Sequence, residues 1–202
     1  MIEQKFKSQL DIIWNSLARG LVYLKISANA ITWAGLIAMA VLCLSYPLWK
    51  VPALFGFLCL LIYSFDALDG AVARMSCATT KTGGYMDAIF DRYQEVMVFA
   101  AFGFAHDLLL SCYAAATSSL LVSYSKARVA VERSINNSGW PDLMERMERV
   151  LLFCLGLILT ALIPSDSDWT KLYLNSLIWI LATLNFFTAV QRFSRAKKFL
   201  DE

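Results

Sequence analysis

The chain has 202 residues, of which 58% are hydrophobic and only 17% are charged, and its formal net charge is +2. A soluble six-helix globule of this composition would have too little polar surface to coat its fold, so the composition favours a membrane protein. The sequence has no internal repeat or low-complexity tract. We expect a single domain over residues 1–202 and no nucleic-acid partner.

The first predicted element is an amphipathic helix over residues 3–21. Its apolar side chains recur at helical spacing and are Phe6, Leu10, Ile13, Trp14, Leu17 and Leu21. The segment lacks the compact apolar stretch and the small-residue cleavage site of a secretory signal. We expect it to lie in the membrane interface, either as a flap beside a functional site or as an anchor that orients the first span.

Six apolar segments follow, and most approach the roughly 20 residues that a helix needs to cross about 30 Å of hydrocarbon. Their predicted bounds are 29–47, 52–73, 84–105, 108–130, 146–164 and 171–191. Each is predicted to be a helix, because only helices and closed barrels satisfy their backbone hydrogen bonds in lipid. The predicted fold is an all-α integral membrane protein with six transmembrane helices and an N-terminal interfacial helix.

Basic residues are distributed unevenly between the two predicted membrane faces. With six spans both termini lie on one side, and of the 18 Lys and Arg residues only Lys50 and Lys171 fall on the other. Because an excess of positive charge marks the cytoplasmic face, both termini are expected to be cytoplasmic.

Four carboxylates interrupt the second and third spans. Asp66 and Asp69 are three residues apart near the end of the second span, and Asp87 and Asp91 are four apart near the start of the third. Each pair shares a helix face, and a short connection makes the two helices antiparallel neighbours. All four acids should therefore converge just inside the cytoplasmic surface. Acids in a bilayer are costly and usually mark a functional site.

Carboxylate oxygens are hard ligands that suit Mg²⁺, Mn²⁺ or Ca²⁺ rather than zinc. Two such ions about 4 Å apart would neutralise the acids and grip a pyrophosphate. The five cysteines are scattered without a CxxC pair, which argues against a zinc site. His106 is the single histidine, and its position at the turn between the third and fourth spans argues against a catalytic role.

The acids belong to a longer pattern that also contains two glycines, an alanine and an arginine. From Asp66 to Asp91 the chain reads D-x2-D-G-x2-A-R-x8-G-x3-D-x3-D. This pattern resembles the motif of the CDP-alcohol phosphotransferase (CDP-alcohol phosphatidyltransferase) family at every fixed position. The resemblance implies a membrane enzyme, often a homodimer, with six helices around a polar cavity open to the cytoplasm. Such enzymes use two divalent cations, Mg²⁺ or Mn²⁺, to transfer a substituted phosphate from a CDP-linked lipid to an alcohol with release of CMP.

The resemblance also implies a role for each matching residue. Asp66, Asp69 and Asp87 correspond to metal ligands. Asp91 corresponds to the residue that borders the second metal and takes the proton from the acceptor hydroxyl. The positions that line the CDP site are matched by Asp69, Gly70, Ala73, Arg74 and Gly83.

Two further segments bear on the acceptor alcohol. The fourth span ends in Ser-Tyr-Ser-Lys-Ala-Arg, and the fifth begins with Met-Glu-Arg-Met-Glu-Arg. Four basic residues in these segments, Lys126, Arg128, Arg146 and Arg149, are predicted to form a pocket that faces the metals. Such a pocket suits an acceptor that itself carries phosphate. The alternative is that these residues only mark the cytoplasmic face and pair with glutamates at helix ends.

These segments resemble those of the phosphatidylinositol-phosphate synthase branch, which includes archaetidylinositol-phosphate synthases. Residues 27–32, S-A-N-A-I-T, are similar to the S-P-N-x-x-T that opens the first span in that branch, with alanine in place of proline. Asn29 and Thr32 either contact the nucleotide or only start the helix. The branch implies inositol 1-phosphate as the acceptor.

Three other functions stay open from the sequence. Glycerol 3-phosphate would fit a phosphate-binding pocket equally well and would give phosphatidylglycerophosphate. A divalent-cation transporter would use the acids as an ion path, although it would need neither the glycines nor Arg74 of the motif. A catalytically silent scaffold is the third alternative, and the complete set of four aspartates argues against it.

Overall fold

The computed structural model of the chain describes residues 14–133, 142–163 and 168–201, and the secondary structure of these residues is helical. We number the helices α1 to α7. Their bounds are 14–23 for α1 as far as it is described, Ala28–Trp49 for α2, Pro52–Met75 for α3, Lys81–His106 for α4, Leu109–Glu132 for α5, Arg146–Ile158 for α6 and Asp168–Asp201 for α7. A 3₁₀ turn, Leu159–Leu162, continues α6.

Local signals in the sequence account for the helix ends near the acidic motif. The Ser27 hydroxyl caps α2 by accepting a hydrogen bond from the backbone N–H of Ala30, and the Thr80 hydroxyl caps α4 by accepting one from Gly83. Both are residue types preferred at this position. At the opposite ends of α2 and α4, Lys50 and Asp107 adopt the left-handed conformation that commonly terminates a helix.

The first four predicted spans agree with α2 to α5 to within a few residues. The fifth is shorter than predicted, because regular α-helix ends at Ile158 and only the 3₁₀ turn follows. The sixth is longer, because α7 continues to Asp201. The charged residues after position 191 end the apolar run but not the helix, since Arg192 stays buried and paired with Asp142.

Within the described ranges, three helices are long and apolar enough to cross a membrane, namely α2, α3 and α7. Helix α6 is only 13 residues long. Helix α4 carries Asp87, Asp91, Arg92 and Glu95 within its length. The secondary structure of the described residues is thus all helical, and these residues include three candidate membrane spans.

Helix α1 packs beside the polar end of α3. Ala18 is fully buried and lies in one cluster with Ile31 of α2 and with Ala71 and Val72 of α3. Leu17, by contrast, is exposed. Residues 3–13 of the predicted amphipathic helix, including Phe6, Leu10 and Ile13, lie outside the described residues.

Helix α3 lies between α2 and α6, and α4 lies between α2 and α5. The contact between α3 and α6 is close at Gly56, where a Cβ atom would lie 2.7 Å from the backbone oxygen of Cys154. A stack of aromatic rings fills the end of the bundle away from the acidic motif. Tyr46 and Phe55 have ring centroids 3.9 Å apart, and Phe102 packs against both.

Candidate functional site

Three of the four motif aspartates come together between α3 and α4. Asp66, Asp69 and Asp87 each offer a carboxylate oxygen, and these oxygens lie within 4.8 Å of one another. Asp69 is buried, and the other two are half-buried. Helix α2 packs against both α3 and α4, whereas α3 and α4 make few direct contacts with each other, so the prediction of a packed α3–α4 pair was wrong. The two ends of the motif meet across a cavity that α2 also lines.

Asp91 lies one helical turn after Asp87 and joins the group through an arginine of α6. Arg146 donates a hydrogen bond from Nη1 to Oδ2 of Asp66 at 2.7 Å, and its Nη2 contacts Oδ1 of Asp91. The guanidinium thus bridges the two acidic pairs. Its central carbon also lies 5.8 Å from the ring centroid of Tyr63, within the range of a cation–π contact.

Helix α2 contributes Thr32 to the same site. The Thr32 hydroxyl donates a hydrogen bond to Oδ2 of Asp69 at 2.6 Å, across 37 residues of sequence. The carbonyl oxygen of Ala28 in its own helix lies 3.0 Å from the same hydroxyl oxygen and is the alternative acceptor of its single proton. This contact orients the buried carboxylate and links α2 to the acidic cluster.

A small cavity lies among these three helices. Its lining combines carboxylates, a hydroxyl, an amide and two aromatic rings, and consists of Thr32, Gly35, Phe65, Asp66, Asp69, Asp87, Phe90, Asp91 and Gln94. Gly35 allows α2 to approach α3 closely beside this cavity. A Cβ atom at this position would lie 3.4 Å from Cβ of Phe65.

The chemistry of these side chains fits a divalent cation. Asp66, Asp69 and Asp87 provide oxygen ligands only, which is the set that Mg²⁺ and Mn²⁺ prefer. In the part of the chain that the structure describes, no other group of three His, Cys, Asp or Glu side chains meets in this way. Four aspartates beside two arginines, Arg146 and Arg92, leave an excess of negative charge that bound cations would balance.

The small residues of the motif lie where the helix ends approach one another. A Cβ atom on Gly83 would lie 3.5 Å from Oδ1 of Asn29, so the starts of α2 and α4 are neighbours. A Cβ atom on Gly70 would lie 3.3 Å from Nη1 of Arg74. Arg74 is exposed and Ala73 half-buried. The residues expected to line a CDP site thus lie near one end of the bundle.

The four basic residues expected at the acceptor pocket have different surroundings. Arg146 contacts the aspartates, whereas Arg149 is buried and paired with Glu95. Arg128 is exposed and pairs with Glu132 in its own helix. Lys126 is half-buried near the end of α5. Arg146 is thus the member of the set that touches the acidic cluster.

Sequence reasoning missed two residues that support this site. Glu95 is 4% exposed and pairs with Arg149, and Arg92 lies between Asp91 and Glu95. A signal was present, since Asp87, Asp91 and Glu95 continue one spacing of four residues along an otherwise largely apolar helix. The three acids therefore share one face of α4.

The remaining histidine and cysteines lie apart from the cluster. His106 ends α4 and shares a hydrogen bond of 2.5 Å with the Tyr46 hydroxyl. All five cysteines are free, and four of them are buried. His106 and the cysteines are therefore not among the side chains that form the acidic cluster.

Comparison with known proteins gives the chain close relatives. It is 30% identical over 202 residues to the phosphatidylinositol phosphate synthase of Corynebacterium glutamicum, covering 93% of this chain and 85% of that protein. It is 34% identical over 130 residues to the archaetidylinositol phosphate synthase of Methanothermobacter thermautotrophicus, covering 63% of this chain and 61% of the relative.

Solved structures show the same fold. The crystal structure of Mycobacterium tuberculosis phosphatidylinositol phosphate synthase with CDP-DAG bound superposes with a TM-score of 0.77 at 26% identity, covering 91% of this chain and 93% of that one. A second structure of that enzyme, in complex with manganese and citrate, gives the same TM-score of 0.77 at the same 26% identity, covering 91% of this chain and 88% of that one.

Residues 25–190 match the family model for CDP-alcohol phosphatidyltransferases, and this stretch contains the whole acidic motif and most of the helical bundle. The match extends over far more than half of the chain, and it agrees with the similarity in sequence and in fold described above. The chain belongs to the CDP-alcohol phosphatidyltransferase family.

Proposed function

We propose that this chain transfers a phosphatidyl-type group from a CDP-linked lipid to inositol 1-phosphate and releases CMP. The observation that carries the proposal is the convergence of Asp66, Asp69 and Asp87 at one site that Arg146 joins to Asp91. The relatives named as phosphatidylinositol and archaetidylinositol phosphate synthases support the choice of acceptor. The structure of the mycobacterial enzyme with CDP-DAG supports the choice of donor.

The first proposed role of the aspartates is to bind divalent cations. Two divalent cations, Mg²⁺ or Mn²⁺, would be held by Asp66, Asp69 and Asp87. Asp91 would lie beside the second of these cations. When bound, these cations supply positive charge that grips the pyrophosphate and stabilises the leaving CMP. The Thr32 hydroxyl keeps the carboxylate of Asp69 in a fixed orientation.

Asp91 is the general base of the proposed reaction. Its carboxylate accepts the proton of the acceptor hydroxyl, and the oxygen attacks the β-phosphorus in line. The new ester bond forms as the bond between the β-phosphorus and the bridging oxygen breaks, and CMP leaves with that oxygen. Asn29, Gly70, Ala73, Arg74 and Gly83 are proposed to line the path of the CDP group.

The phosphate of the acceptor is proposed to bind to a basic pocket in which Arg146 is the residue nearest the aspartates. The planar guanidinium can hold phosphate through two nitrogens, and its contact with Asp91 keeps the bound acceptor near the base. Lys126 and Arg128 at the end of α5 and Arg149 of α6 complete the proposed basic set, and Arg149 contributes from within the bundle, where it is paired with Glu95.

We propose that the protein spans the membrane six times, with its termini and its active site on the cytoplasmic side, and that it acts as a homodimer of single-domain chains. The apolar helices α2, α3 and α7 support membrane insertion. The scarcity of Lys and Arg on one predicted face supports the orientation.

CMP release by the purified protein in detergent tests the proposed function. The assay contains a CDP-linked lipid and Mg²⁺, and inositol 1-phosphate, glycerol 3-phosphate, inositol or serine is added singly. We expect release with inositol 1-phosphate. Release with glycerol 3-phosphate instead would keep the chemistry and overturn the acceptor, whereas release with none would contradict the proposed reaction.

Replacing Arg146 by alanine should raise the KM for inositol 1-phosphate by about tenfold to a hundredfold, because hydrogen bonds between charged groups contribute about 1.5–3 kcal/mol. The KM for the CDP-linked lipid should change much less. Steady-state CMP release with each substrate varied in turn measures both. The exposed Lys171, replaced by alanine, is the matched control for loss of one positive charge. Equal changes in the two KM values would count against the acceptor pocket.

A further inference from the structure

We propose that Glu95 is a positioning residue that acts through Arg149 to aim Arg146 at Asp66 and Asp91, and so sets the affinity for the phosphorylated acceptor. The inference rests on the proposed function, because it assigns the acceptor phosphate to Arg146. It adds to the acidic motif a carboxylate that binds neither cation nor substrate.

Glu95 lies deep in the bundle, one turn of α4 beyond Asp91. Its exposed fraction is 4%, compared with 9% for Asp91. A carboxylate buried this far from water is costly unless it is paired and hydrogen-bonded. The partners of Glu95 therefore show what it holds in place.

The Oε1 oxygen of Glu95 contacts α6 through Arg149. Arg149 points Nη2 and Nε at Oε1, at 3.0 and 3.4 Å. Nη1 of the same arginine donates to the carbonyl of Met144 at 3.1 Å, just before α6 begins. The pair thus ties the start of α6 to the middle of α4.

Arg146 is carried by the same first turn of α6. It precedes Arg149 by three residues, so the two side chains leave neighbouring positions on the helix. Arg149 reaches Glu95 while Arg146 reaches Asp66 and Asp91. An α6 held by Glu95 therefore presents Arg146 to the acidic cluster.

The second oxygen of Glu95 connects the pair to the rest of the site. Oε2 accepts a hydrogen bond from Ser119 of α5 at 2.8 Å and lies 3.4 Å from Nη1 of Arg92. Nη2 of Arg92 lies 3.7 Å from Oδ2 of Asp91, and Arg92 also donates to Ser123 of α5. Glu95 and Asp91 thus share one arginine.

The ion pair between Arg149 and Glu95 borders a small cavity lined by Tyr63, Ser119 and Phe153 among others. If the charge on Glu95 were removed, Arg149 would be a buried cation without its main partner. The first turn of α6 would then keep its link to α4 through Arg146 and Asp91 but lose the link through Arg149.

The variant Glu95→Gln distinguishes a positioning role of Glu95 from a purely electrostatic effect of its charge on the acceptor. Removal of a negative charge near an anion site would by itself strengthen binding of a phosphorylated acceptor. Loss of the link to α6 should instead raise the KM for the acceptor by about tenfold, while the KM for the CDP-linked lipid changes by less than about twofold. Steady-state CMP release measures both constants.

The variant Ser119→Ala is the matched control, because it removes a hydrogen bond to Glu95 from α5 and leaves the contact with Arg149. Its acceptor KM should stay within about twofold of wild type. A double variant, Glu95→Gln with Arg149→Met, should be no worse for the acceptor than the poorer single variant, since residues that act through one link are not additive.

Three results would overturn the inference while leaving the proposed function intact. These are an unchanged or lower acceptor KM in Glu95→Gln, equal changes in both KM values, and additive effects in the double variant. If Glu95→Gln does not fold, Glu95→Asp keeps the charge but shortens the reach to Arg149, and an unchanged acceptor KM there has the same meaning. If the wild-type protein releases no CMP with any of the acceptors, the proposed function is overturned, and this inference with it.

Discussion

Replacing Asp91 by asparagine is expected to lower CMP release by at least about a hundredfold, because a positioned general base typically contributes 10²- to 10⁴-fold to rate. Asparagine keeps the size of the side chain and one acceptor oxygen but does not take a proton. Asp66, Asp69 and Asp87, the three aspartates that could hold a metal ion, are unchanged. Binding of CDP and of Mg²⁺ should therefore be largely retained, and calorimetric titration of the variant measures it beside the turnover assay.

Asp107 provides the matched control for this substitution. It ends the same helix as Asp91, is exposed, and adopts the left-handed conformation that asparagine also tolerates. Asp107→Asn should keep wild-type turnover. Normal turnover in Asp91→Asn would remove this residue as the base, and loss of CDP binding together with turnover would instead make it mainly a ligand.

The second large effect is expected at Asp69. Changes to residues that only support metal ligands already cost about 10- to 100-fold in metal affinity or activity, so loss of a direct ligand should cost more. Asp69→Asn should therefore bind CDP with the same weak affinity in the presence and absence of Mg²⁺. Calorimetric titration of CDP into wild type and variant, with and without Mg²⁺, gives the comparison.

Asp168→Asn, at the exposed start of α7, controls for the loss of one negative charge. It should keep the Mg²⁺-dependent gain in CDP affinity. An unchanged gain in Asp69→Asn would contradict the assignment of Asp69 as a ligand. Because Asp69 also accepts the hydrogen bond of Thr32, thermal unfolding of both variants should be compared.

The acidic cluster was predictable because its information is local. Spacings of three and four residues place Asp66 beside Asp69 and Asp87 beside Asp91 on helix faces, and a connection of a few residues makes the two helices antiparallel. The direct packing of these two helices was predicted wrongly, because α2 packs against both and the two acidic pairs meet across the cavity that it lines. The resemblance to the family motif indicated the chemistry, and the match over residues 25–190 confirmed the family.

Contacts between distant segments were not predictable in this way. Arg146 and Asp66 are 80 residues apart, and Arg149 and Glu95 are 54 apart. Sequence spacing indicated that Arg146 and Arg149 leave one region of α6 but not that each meets a different carboxylate. The outcome depends on the depth at which α6 packs against α3, which the close approach at Gly56 helps to set.

Helix lengths were predicted best where hydropathy and capping agree. Ser27 and Thr80 mark the starts of α2 and α4 close to the ends of the apolar runs. At α7 the two signals separate, because Arg192 and Arg195 end the apolar run while their pairing with Asp142 lets the helix continue. Hydropathy alone does not report such pairing.

The aromatic stack has a consequence for how the bundle can adjust during turnover. Phe102 follows Asp91 by 11 residues on α4, about 16 Å along the helix axis. At that distance the rings of Tyr46, Phe55 and Phe102 pack against one another and hold α2, α3 and α4 together. We therefore expect any separation of these helices that admits a substrate to occur at their ends near the aspartates, while the aromatic contacts keep the opposite ends together.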